Sequence, residues 1–128
     1  MKYFLSLALL FCGTMLSFCD SQPANISLEP KVFAEKLSGE NVFLLDVRTP
    51  EEYNEGHLKG ATLINYYDNN FSEEVSKLDK NKTVYVYCRS GKRSSEAQKK
   101  MLKKGFYSVI NLDGGIIAWQ KAELPVEK

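Results

Sequence analysis

Thr83-Val84-Tyr85-Val86-Tyr87 runs straight into Cys88-Arg89-Ser90-Gly91-Lys92-Arg93-Ser94. The first five residues form a short, continuous apolar run rich in Val and Tyr, the mark of a strand buried on both faces. Beyond the loop, Ala97, Met101 and Leu102 recur at helical spacing while lysines take the opposite side. A helix is predicted over 93–104, and Gly105 stops it. A buried strand, a loop and a helix in that order are half of a parallel β-α-β unit.

The same alternation extends in both directions. Towards the C-terminus, Ser108 to Asn111 reads as a last strand, and Gly114-Gly115 opens a short helix through Trp119. Towards the N-terminus, Ala61 to Ile64 and Val42 to Leu45 read as strands, and Asn25 to Leu28 as a short edge strand. Helices are predicted over Phe71 to Leu78, from Thr49-Pro50-Glu51-Glu52, and over Pro30 to Leu37. Thr49 caps the second of these, Pro50 takes its first position and Glu52 completes a capping box. Trp119 is expected in the core, and Gly114 and Gly115 in a tight turn. Strands alternating with helices imply a parallel sheet covered on both faces, in one α/β domain.

Cys88 then lies at the carboxyl end of a strand, where open α/β sheets bind their ligands. The helix that follows presents free N–H groups and a positive dipole end, which favour a thiolate and an anion. Arg89, Lys92 and Arg93 place three cations within five residues, and Gly91 lets the backbone curl so that N–H groups point inward. A Cys in such electropositive surroundings is a nucleophile rather than core filling; a buried inert Cys is the competing reading.

The chain has 128 residues, 44% apolar and 26% charged, which suits one soluble domain. Removing residues 1–19 takes away Lys2 alone among the charged groups and leaves 16 basic against 16 acidic residues. A near-neutral domain argues against nucleic acid as a partner, and the lysines between Lys99 and Lys104 read as a solvated helix face. The single histidine, His57, cannot make a metal site alone, so no metal is expected.

The N-terminus reads as a leader. Met1-Lys2 is followed by a charge-free stretch from Tyr3 to Phe18, shorter than the roughly 20 residues that span a bilayer. Leu16-Ser17-Phe18-Cys19 resembles a bacterial lipoprotein box, which makes Cys19 a candidate lipidation site. Phe18 departs from the small residue usual before that Cys, and ordinary cleavage nearby is the alternative. The expected division is a signal over 1–19, a polar tether over 20–27 and the folded domain over 28–128. Export to the periplasm or cell envelope follows, with membrane attachment only through the signal or a lipid. Cys88 is then the one thiol of the folded domain.

Three separated segments share one resemblance. Cys88-Arg89-Ser90-Gly91-Lys92-Arg93-Ser94 resembles the active-site loop of rhodanese-family sulfurtransferases. Leu44-Leu45-Asp46-Val47-Arg48-Thr49-Pro50-Glu51-Glu52-Tyr53, with Gly56-His57-Leu58 and Gly60-Ala61, is similar to the family's first signature. Leu112-Asp113-Gly114-Gly115 with Ala118-Trp119 is similar to its closing one. The resemblance implies a three-layer α/β fold with a mostly parallel five-stranded sheet between helices. It implies Cys88 as the persulfide carrier and Arg89, Ser90, Gly91, Lys92 and Arg93 as the substrate-binding loop. Asp46, Arg48 and His57 are expected to support the site, with a local Arg48–Glu52 ion pair. Related phosphatases have five residues between Cys and Arg; here Cys88 and Arg93 enclose four, a narrower cradle that implies sulfur transfer.

The expected reaction moves sulfane sulfur from a small anion such as thiosulfate to cyanide or a thiol, without a cofactor. The alternatives are a persulfide carrier or redox module serving a sulfur-accepting protein, and a rhodanese-like binding domain with little turnover.

Overall fold

The computed structural model describes residues 25–128; the leader, Cys19 and the first part of the tether lie outside the described residues. Five strands form one sheet in the order β1-β5-β4-β2-β3, and every pairing is parallel. The strands are β1 (Ile26–Leu28), β2 (Val42–Asp46), β3 (Thr62–Leu63), β4 (Thr83–Tyr87) and β5 (Ser108–Leu112). The helices are α1 (Pro30–Leu37), α2 (Pro50–Glu55), α3 (Phe71–Ser76), α4 (Lys92–Lys103) and α5 (Gly115–Lys121). The sheet is thus wholly rather than mostly parallel.

Period-two alternation sends each strand's side chains to two cores. Leu45, Val47, Val84, Val86 and Cys88 face α3 and α4, where Phe71, Val75, Ala97, Met101 and Phe106 close one core. Leu44, Tyr85, Tyr87, Ile110 and Leu112 face α1 and α5, where Phe33, Ile116 and Trp119 close the other. Phe33 is the hinge of that second core, edge-on to both Tyr85 and Trp119.

Three elements are shorter than expected. β1 begins at Ile26 rather than Asn25. β3 keeps only Thr62 and Leu63, paired with Leu45 and Asp46, and beyond it Ile64 and Tyr66 still bond to the Asp46 and Val47 carbonyls. α3 ends at Ser76, after which Leu78 bonds back to Val75 in a tightened last turn. The Thr49 cap and its Glu52 capping box are present as read.

The topology positions the site. From β2 the chain moves to β3 on one side, and from β4 to β5 on the other. The loops after β2 and β4 therefore diverge between adjacent strands, opening a crevice at this switch point. Arg48 follows β2 and Cys88 follows β4, so both stand at that crevice.

Candidate active site

Cys88 is 1% exposed and is the free cysteine among the described residues. The loop folds back over its sulfur. The Gly91 N–H donates to Cys88 Sγ at 3.1 Å, and Ser94 Oγ lies 3.3 Å from the same sulfur. Gly91 has φ 103°, a left-handed conformation that costs a side chain free energy, and it forms the N-cap of α4. The next N–H groups belong to the first turn of α4 and lack intrahelical partners. The loop thus directs donors at a buried sulfur, the arrangement that stabilises a negative charge on sulfur.

Ser94 is fully buried, and its hydroxyl also lies 3.1 Å from the Gly91 carbonyl; its one proton serves either acceptor. The sequence places Ser94 at the end of the loop segment but assigns it no role. Its signal is its place in the first helical turn, six residues after Cys88.

The loop's backbone is held from behind by α5. The Ile116 N–H donates to the Cys88 carbonyl at 3.0 Å, and the Ile117 N–H to the Arg89 carbonyl at 3.2 Å. Gly115, at φ 63°, permits this approach: a Cβ there would stand 2.2 Å from the Arg89 carbonyl oxygen. The Gly114-Gly115 turn is therefore also a seat for the Cys88 loop.

Asp46 and Arg48 form a buried brace at the end of β2. Arg48 Nε lies 3.0 Å from both Asp46 carboxylate oxygens, and Nη2 lies 2.6 Å from Oδ2. Arg48 also donates to the Glu52 and Gly56 carbonyls and stacks over the Tyr87 ring. Burial works against the guanidinium's charge, and Asp46 outweighs it, so the Arg48 pKa is raised. The expected Arg48–Glu52 side-chain ion pair does not form. Asp46, two residues away and fully buried, takes the guanidinium, and Arg48 meets only the backbone of Glu52.

The Glu52 carboxylate instead reaches across 41 residues of sequence to Arg93. Arg93 Nη1 lies 2.7 Å from Oε1 and Nη2 lies 2.9 Å from Oε2, an end-on bidentate pair. The hydrogen bonds from Arg93 pull the Glu52 pKa from 4.5 down to about 2, against the opposing effect of burial. A pKa lower in the folded than in the unfolded chain stabilises the fold above the unfolded value. That contribution is lost as pH falls through the folded one. The stability gap between the wild type and Glu52→Gln should therefore narrow between about pH 4.5 and about pH 2, read by denaturant melts. A gap constant over that range would contradict the pairing.

The other predicted residues are placed as follows. Arg89, Ser90 and Lys92 are exposed at the loop's outer side. His57 is buried under the C-terminal segment. Its ring stacks on Tyr53 at 3.7 Å, its Nδ1 lies 3.0 Å from the Tyr53 carbonyl, and its backbone exchanges two hydrogen bonds with Glu127. A cleft runs beside the loop between α2 and α5, lined by Arg48, Glu52, Glu55, Arg89, Ile116 and Gln120. Among the described residues, no cluster of His, Cys, Asp and Glu is arranged to hold a metal ion.

Comparison with known proteins fits this geometry. The protein named Probable adenylyltransferase/sulfurtransferase MoeZ of Mycobacterium tuberculosis is 35% identical over 116 residues, 90% of this chain. The chain spans 30% of that relative's length. A protein named Sulfurtransferase of Allochromatium vinosum is 38% identical over 87 residues, covering 68% of this chain and 79% of the relative. Among solved structures, the rhodanese-like domain of Alr3790 from Anabaena superposes with a TM-score of 0.71 at 28% identity, covering 81% of this chain and 80% of that one. The family model described as Rhodanese-like domain matches residues 29–122, a span that holds the Cys88 loop, the Asp46–Arg48 brace and the α5 seat together. A single rhodanese-like domain accounts for the described fold, and the chain belongs to that family.

Proposed function

We propose that this protein is a sulfurtransferase that carries sulfane sulfur as a persulfide on Cys88, taking it from a donor such as thiosulfate. The observation that carries the proposal is the convergence of the Gly91 N–H and the Ser94 hydroxyl on a buried Cys88 sulfur. In the first half-reaction the Cys88 thiolate attacks the donor's outer sulfur. A Cys88 S–S bond forms, the donor's S–S bond breaks, and sulfite leaves with the electron pair. The persulfide's negative outer sulfur is then stabilised by the inward donors of the loop. In the second half-reaction cyanide or a thiolate attacks that outer sulfur and Cys88 leaves as thiolate. Neither step requires a metal or organic cofactor.

Arg89 and Lys92 raise the positive potential at the loop mouth and draw the donor anion in. Arg93, at the loop's end, is paired with Glu52 and adds no free cation to them. The four residues between Cys88 and Arg93 suit one sulfur atom rather than a phosphoryl group. The charge-free stretch from Tyr3 to Phe18 supports export to the cell envelope, with Cys19 as the lipid attachment point. Full-length chain with an intact leader in the cytosol would contradict that placement.

The experiment compares steady-state turnover with single-turnover loading. An enzyme consumes thiosulfate and cyanide continuously and hydrolyses aryl phosphates negligibly by comparison. One rapid loading of Cys88 followed by slow turnover would instead identify a carrier for a sulfur-accepting protein. Phosphate-ester hydrolysis faster than thiosulfate consumption would overturn the proposal.

A further inference from the structure

The Glu52–Arg93 pair bears on which donors the loop accepts. Glu52 is anchored without Arg93: its Oε1 accepts from the Thr49 N–H at 3.2 Å and lies 3.2 Å from the Thr49 hydroxyl. Its carboxylate is thus a fixed feature of α2, and Arg93 comes to it. Tyr67 lies against the guanidinium face, 5.3 Å from ring centroid to Cζ. Both side chains of the pair are largely withdrawn from water, at 16% and 24% exposure, whereas Arg89 and Lys92 are exposed. Arg93 is therefore the cation of the loop segment least screened by solvent, and Glu52 neutralises it.

The consequence is electrostatic. Arg93 lies five residues beyond Cys88, in the first turn of α4; with Glu52 paired to it, the Cys88 thiolate, the guanidinium and the carboxylate together make a net negative set, and the buried Asp46–Arg48 pair adds no net charge. Arg93's end-on fork, the edge that grips a sulfonate or phosphate best, is occupied. A dianionic donor meets this set with twice the unfavourable charge of a singly charged one. The inward N–H groups of the loop serve one negative sulfur, and that is all a monoanionic donor presents.

We propose that Glu52 is a specificity-determining residue. By holding Arg93 in a closed ion pair, it selects singly charged sulfane-sulfur donors, such as persulfides and thiosulfonates, over dianionic ones such as thiosulfate. This rests on the sulfur-transfer reading above. For a singly charged persulfide R–S–S⁻, the Cys88 thiolate bonds to the outer sulfur, the R–S bond to that sulfur breaks, and the thiolate R–S⁻ departs with the electron pair. Charge and atoms balance without a proton or an oxidant.

The test uses thiosulfate and methanethiosulfonate, which share a transferable outer sulfur; a methyl group in one replaces a charged oxygen in the other. Glu52→Gln can still close the capping box through its amide oxygen; it removes the charge, and its NH2 group cannot accept from Arg93, so the closed fork opens. The ratio of kcat/KM for thiosulfate to that for methanethiosulfonate should rise about tenfold, carried by a lower KM for thiosulfate. In an Arg93→Gln background, the same substitution should move the ratio by less than about twofold, because Glu52 acts through Arg93. A parallel arm needs no turnover: sulfate should protect Cys88 from iodoacetamide at about tenfold lower concentration in Glu52→Gln than in the wild type. A ratio and a sulfate protection both unmoved by Glu52→Gln, or an equal change with both donors, would overturn the proposal. If neither donor loads Cys88 in the wild type, the sulfur-transfer reading itself fails. The sulfate arm then decides alone whether Glu52 governs anion charge at the loop.

Discussion

Replacing Cys88 with serine should abolish sulfur transfer from thiosulfate to cyanide, with activity expected at the uncatalysed rate rather than at a reduced one. The substitution is nearly isosteric at a site 1% exposed, and the Gly91 N–H and Ser94 hydroxyl that face the sulfur can face an oxygen equally well. The fold should therefore survive, with a melting temperature within a few degrees of the wild type. The chemistry should not survive. A serine hydroxyl is scarcely ionised at neutral pH, and its oxygen cannot hold a sulfane sulfur as a persulfide. No second thiol stands in reserve among the described residues. Substantial turnover in Cys88→Ser, measured as thiocyanate formed, would defeat the sulfur-carrier reading outright.

Gly115→Ala should be the most damaging change that leaves every reacting group in place. A Cβ at position 115 would lie 2.2 Å from the Arg89 carbonyl oxygen, 2.4 Å from the Arg89 carbonyl carbon and 2.7 Å from the Cys88 carbonyl oxygen. All three are backbone atoms, so no side-chain rotation relieves the clash. Either α5 or the loop must move, and the two hydrogen bonds from Ile116 and Ile117 that join them must stretch or break. The left-handed φ of 63° adds its own penalty. We expect a loss of about 3 kcal/mol or more, a fall in Tm of roughly 15 °C. Displacement of the Cys88 backbone by about 1 Å should lower sulfur transfer about a hundredfold in the fraction that remains folded. Gly60→Ala is the control, since Gly60 also has a positive φ, 83°, and a Cβ added there would meet nothing within 4 Å. It should lose about 1 kcal/mol and keep its activity. If Gly115→Ala matched Gly60→Ala in both stability and rate, α5 would not be the seat of the loop.

The fold was readable where local chemistry and tertiary structure agree. The apolar run of β4, the Pro30 and Pro50 helix starts and the Thr49 cap each have causes within a few residues, and each stands where it was expected. Boundaries set by a neighbour were not readable. β3 pairs with β2 only at Thr62 and Leu63, a limit set by the neighbouring strand that the stretch from Ala61 to Ile64 cannot show. α4 begins at Lys92, one residue earlier than predicted, because Gly91 itself takes the left-handed cap.

The candidate site divides along the same line. Cys88, its strand end and its helix N-terminus are contiguous in sequence, so the electropositive loop could be read directly. Spacing assigns Glu52 to Arg48, four residues away, because the true partner, Arg93, lies on another element. Asp46 captures Arg48 because both are buried at one strand end, and burial is invisible to spacing alone. Gly115 reads as a turn glycine on its own; only the packed structure puts the Arg89 carbonyl beneath it.

The most direct measurement is the intact mass of the protein after incubation with thiosulfate and removal of excess donor. A single adduct of about 32 Da, one sulfur atom, should appear on Cys88, be discharged by cyanide and be absent from Cys88→Ser. No adduct in the wild type, or an adduct that persists in Cys88→Ser, would contradict it.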